Sequence, residues 1–114
     1  MLLAGFSQGG AVTLAAGIAR AQPLAGLIAL STYLPMTPAQ AQAALQPAAA
    51  SQPVFMAHGQ FDPVVPFAGG EMSAAALQRF GFDVQWHRYP MQHAVCAEEI
   101  ADLGDWMTAR FAAG

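Results

Sequence analysis

The sequence predicts an α/β fold, about four mostly parallel strands with helices on both faces of the sheet. Three observations predict it. Short apolar runs bounded by glycine or proline alternate with longer helical stretches in the order β-α-β-(α)-β-α-β-α, and strands separated by helices pair in parallel. Leu, Ile, Val and Phe supply 26 of the 114 residues, enough for a globular core and above the level of a disordered chain. No segment repeats with a period of 20–50 residues, which sets solenoids and arrays aside. No internal linker is visible, and residues 1–114 are read as one unit.

Each element has its own signal. Met1–Ala4 is apolar and runs into Gly5, a first strand. From Gln8 to Ala19 no residue is charged, and Ala11, Leu14, Ala15 and Ile18 fall on one helical stripe. A helix without charge on any face is usually covered on several sides. After Gln22-Pro23, Leu24–Leu30 reads as a fully buried strand, and alanine-rich Thr37–Ala50 as a short helix with a surface loop. Val54–His58 is a second buried strand. Pro66 suits a first helical position, opening a helix to about Phe80 that stops at Gly81. Asp83–Tyr89, with Val84 and Trp86 two apart, is a further strand. Glu98 and Glu99 stand in the first turn of the last helix, where acids suit the dipole, and Ile100, Leu103, Met107 and Phe111 form its apolar stripe.

Composition excludes several classes of function. The longest run of apolar residues and glycine, Leu24–Leu30, has seven residues against the roughly 20 of a membrane span. Four scattered arginines, no lysine and a net charge of −3 leave no basic stripe for nucleic acid. The lone Cys96 cannot form an internal disulfide, and no secretory signal follows Met1, so a reducing, cytoplasmic setting is expected. Zinc held by His93-x-x-Cys96 with Glu98, Asp62 or His58 is weak, because structural zinc usually draws paired ligands from both ends of a site.

The chemistry centres on Gly5-Phe6-Ser7-Gln8-Gly9, a G-x-S-x-G sequence between a strand and a helix. This composition yields the pattern by chance about 0.04 times, so its position carries weight. The two glycines permit a sharp turn in which larger side chains would clash, and the turn thrusts the Ser7 hydroxyl out at the carboxyl end of the strand. The alternative is an ordinary glycine-rich turn with Ser7 as helix N-cap. A serine nucleophile needs a base. His58 reads as a packed strand-end residue and His87 as a sheet-face residue, while His93 lies in the loop Pro90–Cys96, where doubly wound sheets place reactive groups. Cys96 as nucleophile with His93 as base is the weaker pairing. A carboxylate must then fix the imidazole tautomer. Asp62 follows a buried strand, although Asp-Pro is also a common turn. Asp83 begins a strand, and Asp102 and Asp105 read as solvated.

Gly5-Phe6-Ser7-Gln8-Gly9-Gly10, Leu30-Ser31-Thr32-Tyr33-Leu34-Pro35, His58-Gly59-Gln60-Phe61-Asp62-Pro63-Val64-Val65-Pro66 and Tyr89-Pro90-Met91-Gln92-His93 together resemble the phospholipase/carboxylesterase family, which includes bacterial carboxylesterases and acyl-protein thioesterases. The resemblance runs across essentially the whole chain. It implies an α/β-hydrolase fold and hydrolysis of small-molecule or lipid esters and acyl thioesters, without metal or organic cofactor. It implies Ser7 as nucleophile, Asp62 as orienting acid, His93 as base, and the Gln8 backbone N–H as one oxyanion donor. The chain order Ser7, Asp62, His93 is that of α/β-hydrolases. The same resemblance sets Tyr33, Leu34, Val64 and Val65 near the acyl pocket. Family members are about twice this length, so the chain is expected to be the C-terminal portion of an α/β-hydrolase. The strand and loop upstream of Met1, including the second oxyanion donor, would then be missing. The first strand becomes an apolar edge, and self-association into a homo-oligomer is expected. The rival from another class is a catalytically incompetent fragment persisting as an interaction remnant.

Overall fold

The computed structural model describes residues 1–113, with side chains through Phe111. Four strands, β1 (Leu2–Phe6), β2 (Gly26–Leu30), β3 (Val54–Gly59) and β4 (Val84–Tyr89), form one parallel sheet in the order β1-β2-β3-β4. Helices α1 (Gln8–Ile18), α2 (Pro38–Ala44), α3 (Phe67–Arg79) and α4 (Ala97–Ala113) connect or follow the strands, with a 3₁₀ turn at Pro47–Ser51. Each expected strand is present within two residues of its expected ends.

The continuous apolar runs are explained by burial on both faces. Along β2 and β3, Leu27, Ala29, Val54 and Met56 point to a core shared with Leu14 and Ile18 of α1, Ala41 of α2 and Leu77 of α3. The alternating residues Ile28, Phe55 and Ala57 pack with Tyr89 and with Trp106 of α4 on the other face. Parallel pairing brings the carboxyl ends of β1, β3 and β4 to one end of the sheet, aligned by registers such as Phe6↔Leu30 and Gly59↔Tyr89. The segments bearing Ser7, Asp62 and His93 all leave from that end.

The helix ends follow local chemistry. Thr37 and Gln40 form a reciprocal capping box at α2, and Gly81, at φ +94°, ends α3 in the left-handed region that favours glycine. Buried Gln52 accepts from the Leu24 amide and donates to the Gly17 and Ala49 carbonyls, so every polar atom of its side chain amide is used. On α1 the expected stripe faces inward, but Val12 on its outer face is 67% exposed. Among the described residues β1 pairs only with β2.

Two expectations about α4 and its surroundings need correction. Of the expected stripe Ile100, Leu103, Met107 and Phe111, only Leu103 and Met107 pack against the core, because Ile100 and Phe111 are 60% and 67% exposed. Glu99 and Trp106 point inward instead, flanked by half-buried Leu103 and Met107. The helix is turned by less than one residue step of about 100° from the expected face, so that the large Trp106 ring packs 5.8 Å from Phe55. Asp102 is not simply solvated, since it accepts a 2.6 Å hydrogen bond from the Tyr89 hydroxyl. That bond joins the end of β4 to α4 and, with burial as the larger cause, raises the Tyr89 pKa.

Candidate active site

Ser7 is the pivot between β1 and α1, with φ 56° and ψ −119°. A non-glycine residue at positive φ is strained, and tertiary contacts hold it there. The Ser7 amide donates to the Leu30 carbonyl at 2.9 Å, and the Thr32 hydroxyl donates to the Ser7 carbonyl at 2.6 Å. Although Ser7 occupies the N-cap position, its side chain makes no capping bond, so its hydroxyl is turned away from the helix.

The steric account of the motif holds for one of its two glycines. A Cβ on Gly5 would overlap the Gly9 carbonyl, whereas one on Gly9 meets nothing within 4 Å. The second tight position is Gly10, where a Cβ would come within 2.6 Å of Thr32 Cγ2. Gly5→Ala is therefore expected to destabilise the chain by about 1–3 kcal/mol, while Gly9→Ala changes stability by less than about 1 kcal/mol. Urea unfolding midpoints check this, and equal losses at the two positions would refute the steric account.

Asp62 sits in the turn after β3, buried and tightly held. Its Oδ1 accepts from the Val64 and Val65 amides at 2.8 Å each, and its Oδ2 accepts from His93 Nδ1 at 2.7 Å. Burial alone would raise its pKa, but the hydrogen bonds from His93, Val65 and Val64 outweigh burial and hold it below its ordinary value. His93 Nε2 is left unprotonated by this tautomer and accepts from the Ser7 hydroxyl at 3.0 Å. The structure thus links the three residues in one chain of hydrogen bonds, although they are 31 and 86 positions apart in sequence. A serine so connected can lose its proton to an imidazole whose far nitrogen stays paired with a carboxylate.

The loop carrying His93 is fixed by the turn that follows β3. Gln60 and Phe61 amides donate to the Tyr89 and Met91 carbonyls. Gly59 lies so close to that loop that a Cβ there would overlap the carbonyls of Met91 and Gln92. His58 is a packed strand-end residue, as expected. It is fully buried, its Nε2 donates to the Val65 carbonyl at 2.7 Å, and it stands 3.5 Å from Asp62 Oδ2. His87 stacks on Phe55 at 4.8 Å, at the sheet face and away from Ser7's hydrogen bonds. On α4, Glu99 is fully buried with no hydrogen-bond partner for either carboxylate oxygen, and burial pushes its pKa up to about 7. Its place in an acidic first turn concealed this, because sequence alone does not say which way that turn faces.

Of the four acyl-pocket residues, Tyr33, Val64 and Val65 line a hollow of about 400 Å³ together with Phe6, Ser7 and Gln8. All four line a larger, mainly apolar groove of about 450 Å³ against α3. Tyr33 and Val64 are exposed, whereas Leu34 and Val65 are buried. Gln8 is the first residue of α1, so its N–H has no intrahelical acceptor and is free to meet a negative charge beside Ser7. Among the described residues no three His, Cys, Asp or Glu side chains gather to hold a metal ion.

The chain is similar to known proteins along nearly its whole length. The family described as phospholipase/carboxylesterase matches residues 1–110. Acyl-protein thioesterase 1 of Neurospora crassa is 40% identical over 112 residues, covering 96% of this chain and 46% of that protein. A probable carboxylesterase of Oryza sativa subsp. japonica is 33% identical over 108 residues, covering 94% of this chain and 40% of that protein. Among solved structures, SOBER1 of Arabidopsis thaliana superposes with a TM-score of 0.90 at 28% identity, over 96% of this chain and 52% of that one. Zea mays acyl-protein thioesterase 2 superposes with a TM-score of 0.84 at 28% identity, over 94% and 54%. The sheet and its helices match about half of an α/β-hydrolase fold, and the chain spans about half the length of the curated relatives it matches.

Proposed function

The chain belongs to the phospholipase/carboxylesterase family, and on that footing we propose that it serves hydrolysis of carboxylic esters or acyl thioesters through an acyl-enzyme on Ser7. The observation that carries the proposal is the hydrogen-bond chain from Ser7 through His93 to Asp62. His93 Nε2 takes the hydroxyl proton as Ser7 Oγ attacks the substrate carbonyl. Asp62 keeps Nδ1–H in place and stabilises the imidazolium that forms. The tetrahedral oxyanion falls against the Gln8 N–H at the positive end of α1. His93 then protonates the departing alkoxide or thiolate. Water, deprotonated by His93, attacks the acyl-enzyme, and Ser7 recovers its proton as the acid leaves. The apolar groove beside Tyr33, Leu34, Val64 and Val65 favours substrates with a hydrocarbon acyl chain. No step calls for a cofactor, and no described helix is long and apolar enough to cross a membrane. The lone Cys96 favours a cytoplasmic setting.

Treating the chain with a fluorophosphonate probe should place the phosphonyl group on Ser7, located by peptide mass spectrometry. Labelling that survives Ser7→Ala, or that leaves Ser7 untouched, would refute the reading.

A second reading, of a domain that is catalytically weak by itself, is favoured by one observation. Among the described residues β1 pairs only with β2 and forms an apolar edge, with unpaired backbone groups prone to associate with other chains. These 114 residues alone are then expected to self-associate and to hydrolyse p-nitrophenyl esters poorly. Turnover by a soluble monomer at ordinary enzyme rates, about 1–10³ s⁻¹, would exclude that second reading.

A further inference from the structure

The groove that receives the acyl chain does not end in hydrocarbon. It leaves the hollow beside Ser7 through the residues common to both, Tyr33, Val64 and Val65. From there it follows one face of α3 from Gly69 past Met72 and Ala76 to Arg79. The ten residue-to-residue rises from Gly69 to Arg79 make this stretch about 15 Å long. With the part beside Ser7 it suits an extended chain of roughly fourteen carbons. Arg79 is the one charged residue among those lining the groove, and among the described residues its guanidinium makes no ion pair. It stands in the last turn of α3, where the helix dipole favours a cation and, without that cation, would repel an anion.

We propose that Arg79 recognises the far end of the acyl group, so that the site prefers esters or thioesters whose chain ends in a carboxylate. This rests on the reading of Ser7 as the acylated residue and names the substrate class that the same groove selects. An anionic terminus in an apolar groove is unfavourable unless it is paired. The guanidinium presents a planar fork of donors that matches a carboxylate bidentately. Arg79 is exposed, so the preference is modest, about three- to fivefold in affinity, and weakens with salt.

The test measures binding, so it does not depend on turnover. The N-methylamide of tetradecanoic acid and the mono-N-methylamide of tetradecanedioic acid differ only at the far end of the chain, and calorimetric titration of the full chain gives their affinity ratio. Arg79→Gln should shift that ratio about three- to fivefold against the acid-ended amide. Arg79→Lys should retain part of the preference, and Arg88→Gln, which removes the same charge from β4, should leave the ratio unchanged. A ratio insensitive to Arg79→Gln, an equal shift in Arg88→Gln, or no binding of either amide would overturn the proposal. Arg79-dependent binding together with failure of the phosphonyl group to reach Ser7 would keep the groove's selectivity and remove the hydrolase reading instead.

Discussion

Asp62→Asn is expected to slow phosphonylation or acylation of Ser7 by about four orders of magnitude, the loss seen for the equivalent change in a serine protease, while leaving the fold in place. The direction follows from how Asp62 is held. Its Oδ1 must remain an oxygen, because it accepts from two backbone amides, Val64 and Val65. An asparagine satisfies those amides only by turning its NH₂ toward His93. The NH₂ would then donate to Nδ1 and move the imidazole proton to Nε2, where it faces Ser7 and cannot accept the serine proton. Asp83→Asn, at the exposed entry to β4, should change the rate little. Labelling kinetics on the two variants, with circular dichroism to verify the fold, make the comparison. Equal loss in both, or little loss in Asp62→Asn, would remove Asp62 from this role.

The second large effect concerns stability and the buried Glu99. Burial raises its folded pKa from 4.5 to about 7, so the folded chain holds a proton that the unfolded chain has already released. Stability from this group is therefore fully present below about pH 4.5 and is lost as pH rises through about 7. The loss is roughly 3 kcal/mol at pH 8. Asp62 acts in the opposite sense, because its lowered pKa contributes stability above its unfolded value that disappears in acid. A Glu99→Gln variant isolates the first effect, since Asp62 is common to both proteins. It should be more stable than the parent at pH 8 by up to roughly 3 kcal/mol and nearly equal to it at pH 4.5. Urea unfolding at the two pH values measures the difference. An advantage for glutamine that is the same at both would show that Glu99 is not held neutral.

Much of the fold was legible because its signals are local. The seven-residue apolar run Leu24–Leu30 and the run Val54–His58 leave little besides strands buried on both faces. The stripe Ala11, Leu14, Ala15 and Ile18 marks the inward face of α1, although the lack of charge on its outer face did not mean that this face is covered. Their order then dictates parallel pairing, because a helix between two strands returns the chain to the same end of the sheet. The inward face of α4 was not legible. Periodicity in Ile100, Leu103, Met107 and Phe111 counts apolar residues, but the helix turned to seat the single large Trp106 ring against Phe55, carrying Glu99 inward with it. Which way a helix faces is settled by the shape of the surface it meets.

The site divides in the same way. Sequence by itself determined the candidates Ser7, Asp62 and His93 and the strand end to which each belongs, because a G-x-S-x-G turn and loops after buried strands mark those positions by local chemistry. It also pointed to Tyr33, Leu34, Val64 and Val65 through the resemblance. Only the tertiary structure decided that three side chains so far apart in sequence meet at 2.7 and 3.0 Å. It likewise decided that Gly5 and Gly10, rather than Gly9, are the glycines pressed by neighbours, and that Gly59 makes room for the His93 loop. It placed Arg79 on the lining of the groove and turned Glu99 into the interior. The reason is one of range. Propensity and periodicity act over a few residues of one segment, whereas a hydrogen bond, a steric clash or a desolvated charge depends on which distant segments the folded sheet sets side by side.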